Sequence, residues 1–329
     1  MITIKNNIKQ AVKVYHGYGH MHDLIVFGHV FKKNTKPRHS YSNNYLANII
    51  YLLKLFFVKP LANVPVQLVW RNQTFNSVTE KDGFFKFEWA SADDVAPGWH
   101  NVTVNSLDTK GNIIASGEGK LFVPNSTQFA FISDIDDTVL ISYSATIFKR
   151  LRVLFTKNPH TRRPFAEVVK HYELLSLAHT TAQVPNPFFY VSSSEWNLYD
   201  DLNEFFKYNK LTKGIFLLNQ VKRWFQLLKT GKTKHEGKML RILRILNTFP
   251  KQQFILLGDN TQSDPAIYTA IANKFPGKIF AIYINNVHSK KEKTTRQILD
   301  TVKETGTFTC LHSTNPEAIE YSKAIGLIT

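Results

Sequence analysis

The run Phe129-Ala130-Phe131-Ile132, followed closely by Asp134-Ile135-Asp136-Asp137-Thr138, constrains this chain more than any other feature. An apolar stretch with aromatic and β-branched residues is what a strand buried on both faces requires. Three carboxylates then fall within four residues, so the acidic cluster belongs at the strand's C-terminal tip. In an open parallel sheet that tip borders the ligand crevice. Side chains two residues apart on extended backbone point the same way, which makes Asp134 and Asp136 converge. Converging carboxylates repel unless a cation or a shared proton stands between them. The pattern therefore calls for a divalent metal, an acid/base pair, or both.

With 329 residues there is room for about two domains. The single cysteine, Cys310, excludes a disulfide framework and points to an intracellular compartment. The N-terminus shows no apolar signal core, and the greasiest stretch, 45–58, is interrupted by Asn48 and Lys54 and is too short to span a bilayer. A cytoplasmic protein is expected. Its formal net charge of +16 predicts attraction to an anionic partner. No Asp or Glu occurs in 24–79, 139–166 or 205–235, while Lys and Arg populate all three. No nucleic-acid-binding motif accompanies the charge, so a nucleic-acid partner is not expected.

Taken in order, 24–31 reads as a strand and 45–57 as a helix stopped by Pro60. Alternation in 64–70 and 84–89, a turn at Lys81-Asp82-Gly83 and further β-prone segments imply a β-sandwich-like domain over 1–126 with an inserted helix. The stretch 79–87 resembles the hairpin of transthyretin-like domains. The texture changes near Pro124-Asn125-Ser126. Over 127–329, buried-type strands at 129–133, 188–191, 254–257 and 278–284 alternate with helical stretches, which predicts an α/β domain with a doubly wound parallel sheet.

Three further strand-end signals follow. The strand at 187–191 ends in Ser192-Ser193-Ser194, where Ser194 suits a helix cap and Ser192 stays available to a phosphoryl oxygen. Asp259 follows Gly258 at the end of a buried strand, which is metal-ligand placement. Asp264 before Pro265 has the form of a helix N-cap and its first residue, with any metal role a supporting one. Between them, a lysine opening a helix can neutralise charge between a carboxylate nucleophile and a phosphoryl group. Lys238 is the first choice and Lys234 the second.

The order Asp-x-Asp-x-Thr, strand-Ser, Lys and Gly-Asp-x-x-x-x-Asp resembles the four motifs of the haloacid dehalogenase superfamily. More narrowly, Asp134-Ile135-Asp136-Asp137-Thr138, 190–199, Phe249-Pro250 and 258–268 resemble the catalytic domain of actin-patch-protein-type phosphatidate phosphatases, over roughly 127–329. The resemblance implies a magnesium-dependent phosphatase with Asp134 as nucleophile and Asp136 as general acid/base. Thr138 and Ser192 would position the phosphoryl group and Lys238 would steady it. The metal set would draw on Asp134, Asp136, Asp259 and Asp264. Family members commonly read Gly-Asp-Ser-Gly where this chain has Gly258-Asp259-Asn260-Thr261, and His-Lys at Gly237-Lys238.

The implied substrate is a phospholipid, phosphatidate, and the implied place of work an anionic membrane surface on the inner side. Two stretches suit that surface: 45–57, with Lys32, Lys33, Lys36, Arg38 and Lys59 around it, and 147–155, where aromatics alternate with cations. The competing reading of 45–57 makes Leu46, Ile49, Ile50 and Leu53 a core-facing stripe. Rival functions are a phosphatase for soluble or protein phosphoesters and a non-catalytic phospholipid-binding module.

Overall fold

The computed structural model describes residues 10–32, 44–140, 158–221 and 234–329. The chain divides into two compact units, Met1–Arg38 with Lys54–Pro124 and His39–Leu53 with Asn125–Thr329. Lys33, Lys36, Arg38 and the stretch 147–155 lie outside the described residues.

In the first unit, strands β1 (Ala11–Val14), β2 (Gly17–His20), β3 (Asp23–Phe31), β4 (Pro65–Trp70), β5 (Gln73–Val78), β6 (Phe84–Trp89), β7 (Gly98–Leu107) and β8 (Ile113–Val123) make one mixed sheet. Its order is β1-β3-β2-β8-β7-β4-β5, with β6 on the other side of β3. Period-two alternation sends Val66, Leu68 and Trp70 of β4, and Phe85, Phe87 and Trp89 of β6, into a common core with Val26, Val102, Val104 and Leu121. The sandwich expected from the alternation is thus one continuous sheet whose limbs share a core. A parallel pairing of β2 with β8, Gly17 opposite Leu121 and Tyr18 opposite Phe122, joins the limbs.

Helix α1 (Tyr45–Phe56) begins where Asn44 Oδ1 accepts the Leu46 N–H at 2.9 Å. It buries Asn48, Leu55 and Phe56 but leaves Leu46 53% and Ile50 55% exposed, with Phe57 just beyond it 58% exposed. Ile49 and Leu53 are half-buried. The core-facing stripe is therefore corrected: one apolar side of this helix faces outward.

The second unit contains the parallel strands β9 (Phe129–Ser133), β10 (Phe188–Glu195), β11 (Ile215–Asn219), β12 (Gln253–Asp259), β13 (Ile279–Asn285) and β14 (Phe308–His312). Their order is β11-β10-β9-β12-β13-β14. Helices α2 (Val168–Ser176), α3 (Tyr199–Tyr208), α4 (Lys234–Thr248), α5 (Asp264–Lys274), α6 (Glu292–Asp300) and α7 (Asn315–Ala324), with short 3-10 turns at Trp196–Leu198, Ser289–Lys291 and Lys303–Thr305, complete the described elements. Every residue of β9 and β10 is buried, as the apolar runs 129–132 and 188–191 require, and the polar Ser192–Glu195 is buried with them. The chain leaves β9 toward β10 and β11 on one side and returns to β12 on the other. The winding direction reverses there, and the crevice beyond the strand ends at such a point is where ligands bind in sheets of this order. Ser133 is level with Tyr190 and Leu257, so Asp134, Ser192 and Asp259 emerge at one end.

A buried histidine makes the first unit acid-sensitive. His29 packs against the rings of Phe31 and Phe84, its Nδ1 3.1 Å from the Tyr15 hydroxyl, and burial lowers its pKa from 6.5 to about 3. Between those values the unfolded chain binds the extra proton, so stability is intact above 6.5 and falls as pH drops toward 3. The slope from this residue is up to about 1.4 kcal/mol per pH unit. His29→Phe should flatten that decline in urea unfolding series run between about pH 7 and pH 4. Parallel curves for the two proteins would count against the buried neutral imidazole.

Candidate active site

The tip of β9 is fixed before its carboxylates do anything. Ser133 Oγ donates to the Asp134 carbonyl oxygen at 2.6 Å and meets the Tyr172 hydroxyl at 2.7 Å, while the Asp134 N–H donates to Leu257 O at 2.8 Å. The Asp134 side chain is fully buried, and its Oδ1 accepts from Lys238 Nζ at 2.9 Å. The same ammonium donates to Asp264 Oδ1 at 2.5 Å and lies 5.8 Å from the centre of the Tyr268 ring. Asp264 Oδ2 accepts the Asp259 N–H at 3.4 Å, and Asp259 Oδ1 accepts both the N–H and the hydroxyl of Thr261. Gly258 allows this closeness, since a Cβ there would lie 2.5 Å from Asp264 Oδ2.

Among the described residues, Asp134 Oδ2, Asp259 Oδ2 and Thr138 Oγ1 are buried without a hydrogen-bond partner. One carboxylate oxygen each from Asp134, Asp259 and Asp264 lies within 4.8 Å of the others. Such an all-oxygen set with unsatisfied lone pairs fits a hard divalent cation. The electrostatics agree. Burial pushes the Asp134 carboxyl well above the usual carboxylate range; Lys238 opposes this, and Asp264, Asp259 and Asp136 add to it. Burial and the neighbouring Asp264 push Asp259 up to about 7. For Lys238, burial works to lower the pKa, but the Asp134 and Asp264 carboxylates outweigh it and hold the ammonium above its ordinary value.

Asp136 stands apart from that cluster. Its Oδ2 accepts from Ser194 Oγ at 2.6 Å and Ser192 Oγ at 3.2 Å, and Ser192 Oγ in turn accepts the Ser194 N–H at 2.9 Å. Asp136, expected among the metal ligands, is not grouped with the carboxylates of Asp134, Asp259 and Asp264. Ser194, expected to cap a helix, lies inside β10, and the helical turn that follows has Glu195 at its cap position. Asp264 likewise does not cap α5: Ser263 occupies that position, and the Asp264 carboxylate turns to Lys238 and Asp259. A charge-assisted bond to a buried ammonium outweighs a bond to the helix's own N–H. Thr138 is buried in the turn after Asp137, whose φ of 60° and carbonyl bond to Asn285 Nδ2 reverse the chain. Of the two candidate lysines, Lys238 is in the site; the Lys234 side chain lies outside the described residues.

Tyr172, Ser133 and Thr261 carry no local signal of a site role, and Ser194 carries that of a helix cap; yet Ser133, held by Tyr172, bonds the Asp134 carbonyl, Ser194 holds Asp136 and Thr261 holds Asp259. The loop after Asp259 is tied down by Asn260. The Asn260 side chain donates to Asn286 Oδ1 and His288 O, at 2.7 and 3.1 Å, and accepts the His288 N–H at 2.8 Å.

Residues 129–286 match the family model described as Phosphatidate phosphatase APP1, catalytic domain. The narrower resemblance, to the phosphatidate phosphatase catalytic domain, is borne out over these residues. Phosphatidate phosphatase APP1 of Saccharomyces cerevisiae is 28% identical over 244 residues, which is 70% of this chain and 39% of that one. An uncharacterized protein of Schizosaccharomyces pombe is 24% identical over 251 residues, 71% of this chain and 39% of its own. The chain thus spans about two fifths of the length of either relative. Among solved structures, a carbohydrate acetylesterase from Xanthomonas citri aligns with a TM-score of 0.29 at 8% identity, over 91% of this chain and 66% of that one, too low a score to bear on fold or chemistry.

The buried ammonium is the testable joint of this arrangement. Lys238→Met leaves the carboxylates of Asp134 and Asp264 buried without their cation and should cost about 3–5 kcal/mol in metal-free urea unfolding. Adding Asp264→Leu, which removes one stranded charge, should recover part of that loss. A single variant less than about 1 kcal/mol from wild type would show that the ammonium does not hold the cluster together.

Proposed function

We propose that the second unit is a doubly wound, haloacid-dehalogenase-like phosphatase domain that hydrolyses a phosphate monoester with magnesium, and that its substrate is phosphatidate. The catalytic-domain match supports the reaction class. The observation that carries the mechanism is the pair of buried carboxylate oxygens, Asp134 Oδ2 and Asp259 Oδ2, left without donors at the switch point of a parallel sheet. Asp134, Asp259 and Asp264 would hold magnesium, which when bound offsets the repulsion between a carboxylate nucleophile and an anionic phosphate.

The chain's own residues divide the remaining work. Lys238 favours the ionised form of Asp134, whose Oδ2 attacks phosphorus as the bond to the alcohol oxygen breaks. Asp136 gives its proton to the leaving alkoxide, so the first half yields an aspartyl-phosphate and a neutral alcohol. Asp136 then takes a proton from water as that water attacks the phosphoenzyme, which restores Asp134 and releases phosphate. Ser192 and Ser194 hold the Asp136 carboxyl in line for both transfers. Thr138 Oγ1, buried and without a partner among the described residues, would bond a phosphoryl oxygen; the Ser192 hydroxyl hydrogen goes to Asp136, so Ser192 would serve the phosphoryl group through that carboxyl.

A phosphate-release assay on phosphatidate, with and without magnesium, tests this reading. Asp134→Asn should abolish turnover, and Asp136→Asn should lower it about 100- to 10,000-fold while allowing a phosphoenzyme to build up from a substrate with a good leaving group. Near-normal turnover by a folded Asp134→Asn protein would overturn the assignment. Equal turnover of soluble phosphoesters would shift the substrate to the rival class.

The lipid reading also predicts a peripheral, cytoplasmic-side association with an anionic bilayer. Among the described residues no helix is long and apolar enough to cross a membrane. The outward side of α1 instead offers Leu46 and Ile50, with Lys54 exposed on the same helix and Phe57 at its end. Apolar side chains beside cations suit an interface, where attraction to anionic lipid is screened by salt. Vesicle co-sedimentation should need anionic lipid, weaken with salt, and drop for Leu46→Ser/Ile50→Ser. Binding indifferent to all three would remove the membrane from the proposal.

A further inference from the structure

We infer that Arg241 is an anion receptor of this site, a second cation whose guanidinium is left for the oxygens of the substrate's phosphoryl group. The inference rests on the phosphoester reading above and adds a residue to it. Arg241 lies on α4 one turn beyond Lys238, on the same side of the helix. Its guanidinium folds back over Gly237, where a Cβ would stand 3.5 Å from Nη1, and reaches the end of β10, where Nη2 donates to Ser192 O at 3.4 Å. Ser192 is the residue whose hydroxyl holds Asp136. The cation therefore stands against the backbone of the phosphoryl pocket.

What it lacks is a counter-charge. Among the described residues its one hydrogen bond is long and goes to a neutral carbonyl, and its Nε is buried without an acceptor. All 25 Asp and Glu side chains of the chain fall within the described residues, and the stretches 1–9, 33–43, 141–157 and 222–233 contain none. Among the described residues no carboxylate pairs with Arg241. Burial alone acts on the guanidinium, lowering its pKa to about 10, with no acidic neighbour opposing it. A half-buried guanidinium with no carboxylate against it among the described residues leaves part of its desolvation cost uncompensated in the resting protein. The cost is offset when an oxyanion arrives.

Lys238 cannot serve in its place. It already donates to Asp134 and Asp264, so its charge is spent inside the protein. A phosphate monoester brings up to two negative charges toward a pocket lined by Asp134, Asp136 and Asp259. A planar guanidinium with five donors matches phosphate oxygens in a forked geometry that an ammonium does not reproduce. A purely structural role, pinning α4 to β10 through Ser192 O, would rest on a single 3.4 Å bond.

Isothermal titration of inorganic phosphate into the full chain, with magnesium present, separates the two roles. Arg241→Met should weaken phosphate binding about tenfold or more, and Arg241→Lys should fall between it and wild type. The KM for the monoester should rise by a similar factor, with kcat changed much less, and the melting temperature of Arg241→Met should not fall. Unchanged phosphate affinity in Arg241→Met overturns the inference, as does a melting temperature that falls steeply while affinity holds. Calorimetry requires no turnover, so a protein that binds phosphate through Arg241 yet cleaves no monoester would overturn the phosphatase reading alone. One that cleaves a monoester without Arg241-dependent binding would overturn this inference alone.

Discussion

Lys238 Nζ stands 2.9 Å from Asp134 and 2.5 Å from Asp264, with all three side chains almost removed from water. Taking three charges out of water is expensive, and the cost is recovered only while they stay together. The ammonium sits on α4, one carboxylate just past β9 and the other at the start of α5, so a single charge cluster fixes the relative positions of three chain segments. Asp259 is drawn in through its N–H bond to Asp264, and the loop behind it is braced by Asn260 and by Lys291 Nζ, which donates to Thr261 O at 2.7 Å. One positive charge among Asp134, Asp259 and Asp264 leaves the cluster net negative. Burial first, and the neighbouring carboxylates after it, raise Asp134 and Asp259 above their ordinary range, and the excess of negative charge gives the site its demand for a cation.

Features set by neighbouring residues were legible in the sequence, and features set by distant ones were not. The run 129–132 could only be a strand buried on both sides, and the acidic residues after it could only lie at its tip. The same logic found Asp259 after Gly258. Ser194 and Asp264 failed for a common reason: each has the local form of a helix cap, and each is claimed by a partner far along the chain. Ser194 donates to Asp136 and Asp264 accepts from Lys238, 58 and 26 residues away. Local rules describe what a side chain does when nothing stronger is near it. In a buried charge cluster something stronger always is.

Pairing between strands escaped the sequence in the same manner. Alternation in 64–70 and 84–89 located β4 and β6 and the residues they bury, yet alternation carries no information about which strands are neighbours. The parallel match of β2 with β8 that joins the limbs of the first sheet involves two residue pairs about a hundred residues apart. Helix α1 shows the opposite limit. Its apolar spacing was plain, but spacing alone cannot tell a face packed inward from one left outward, and Leu46 and Ile50 are outward.

The contrast between the chain's charge and its site gives the last step. A formal net charge of +16 draws anions from a distance, while the strand tips present carboxylates at close range. An anionic substrate on the proposed path is thus attracted by the whole and repelled by the part it must reach. Long-range attraction raises the rate of encounter, and it decays within a Debye length of about 10 Å at moderate salt. Inside the crevice, compensation has to come from groups in contact. Lys238 cannot supply it, because its two bonds already face carboxylates. On the proposed path a cation held by Asp134, Asp259 and Asp264 would meet part of the demand, and the Arg241 guanidinium beside Ser192 would meet the rest. The acid-free stretches of sequence contribute by omission: with no carboxylate in 205–235 there is none near in sequence before α4 to neutralise Arg241 in advance.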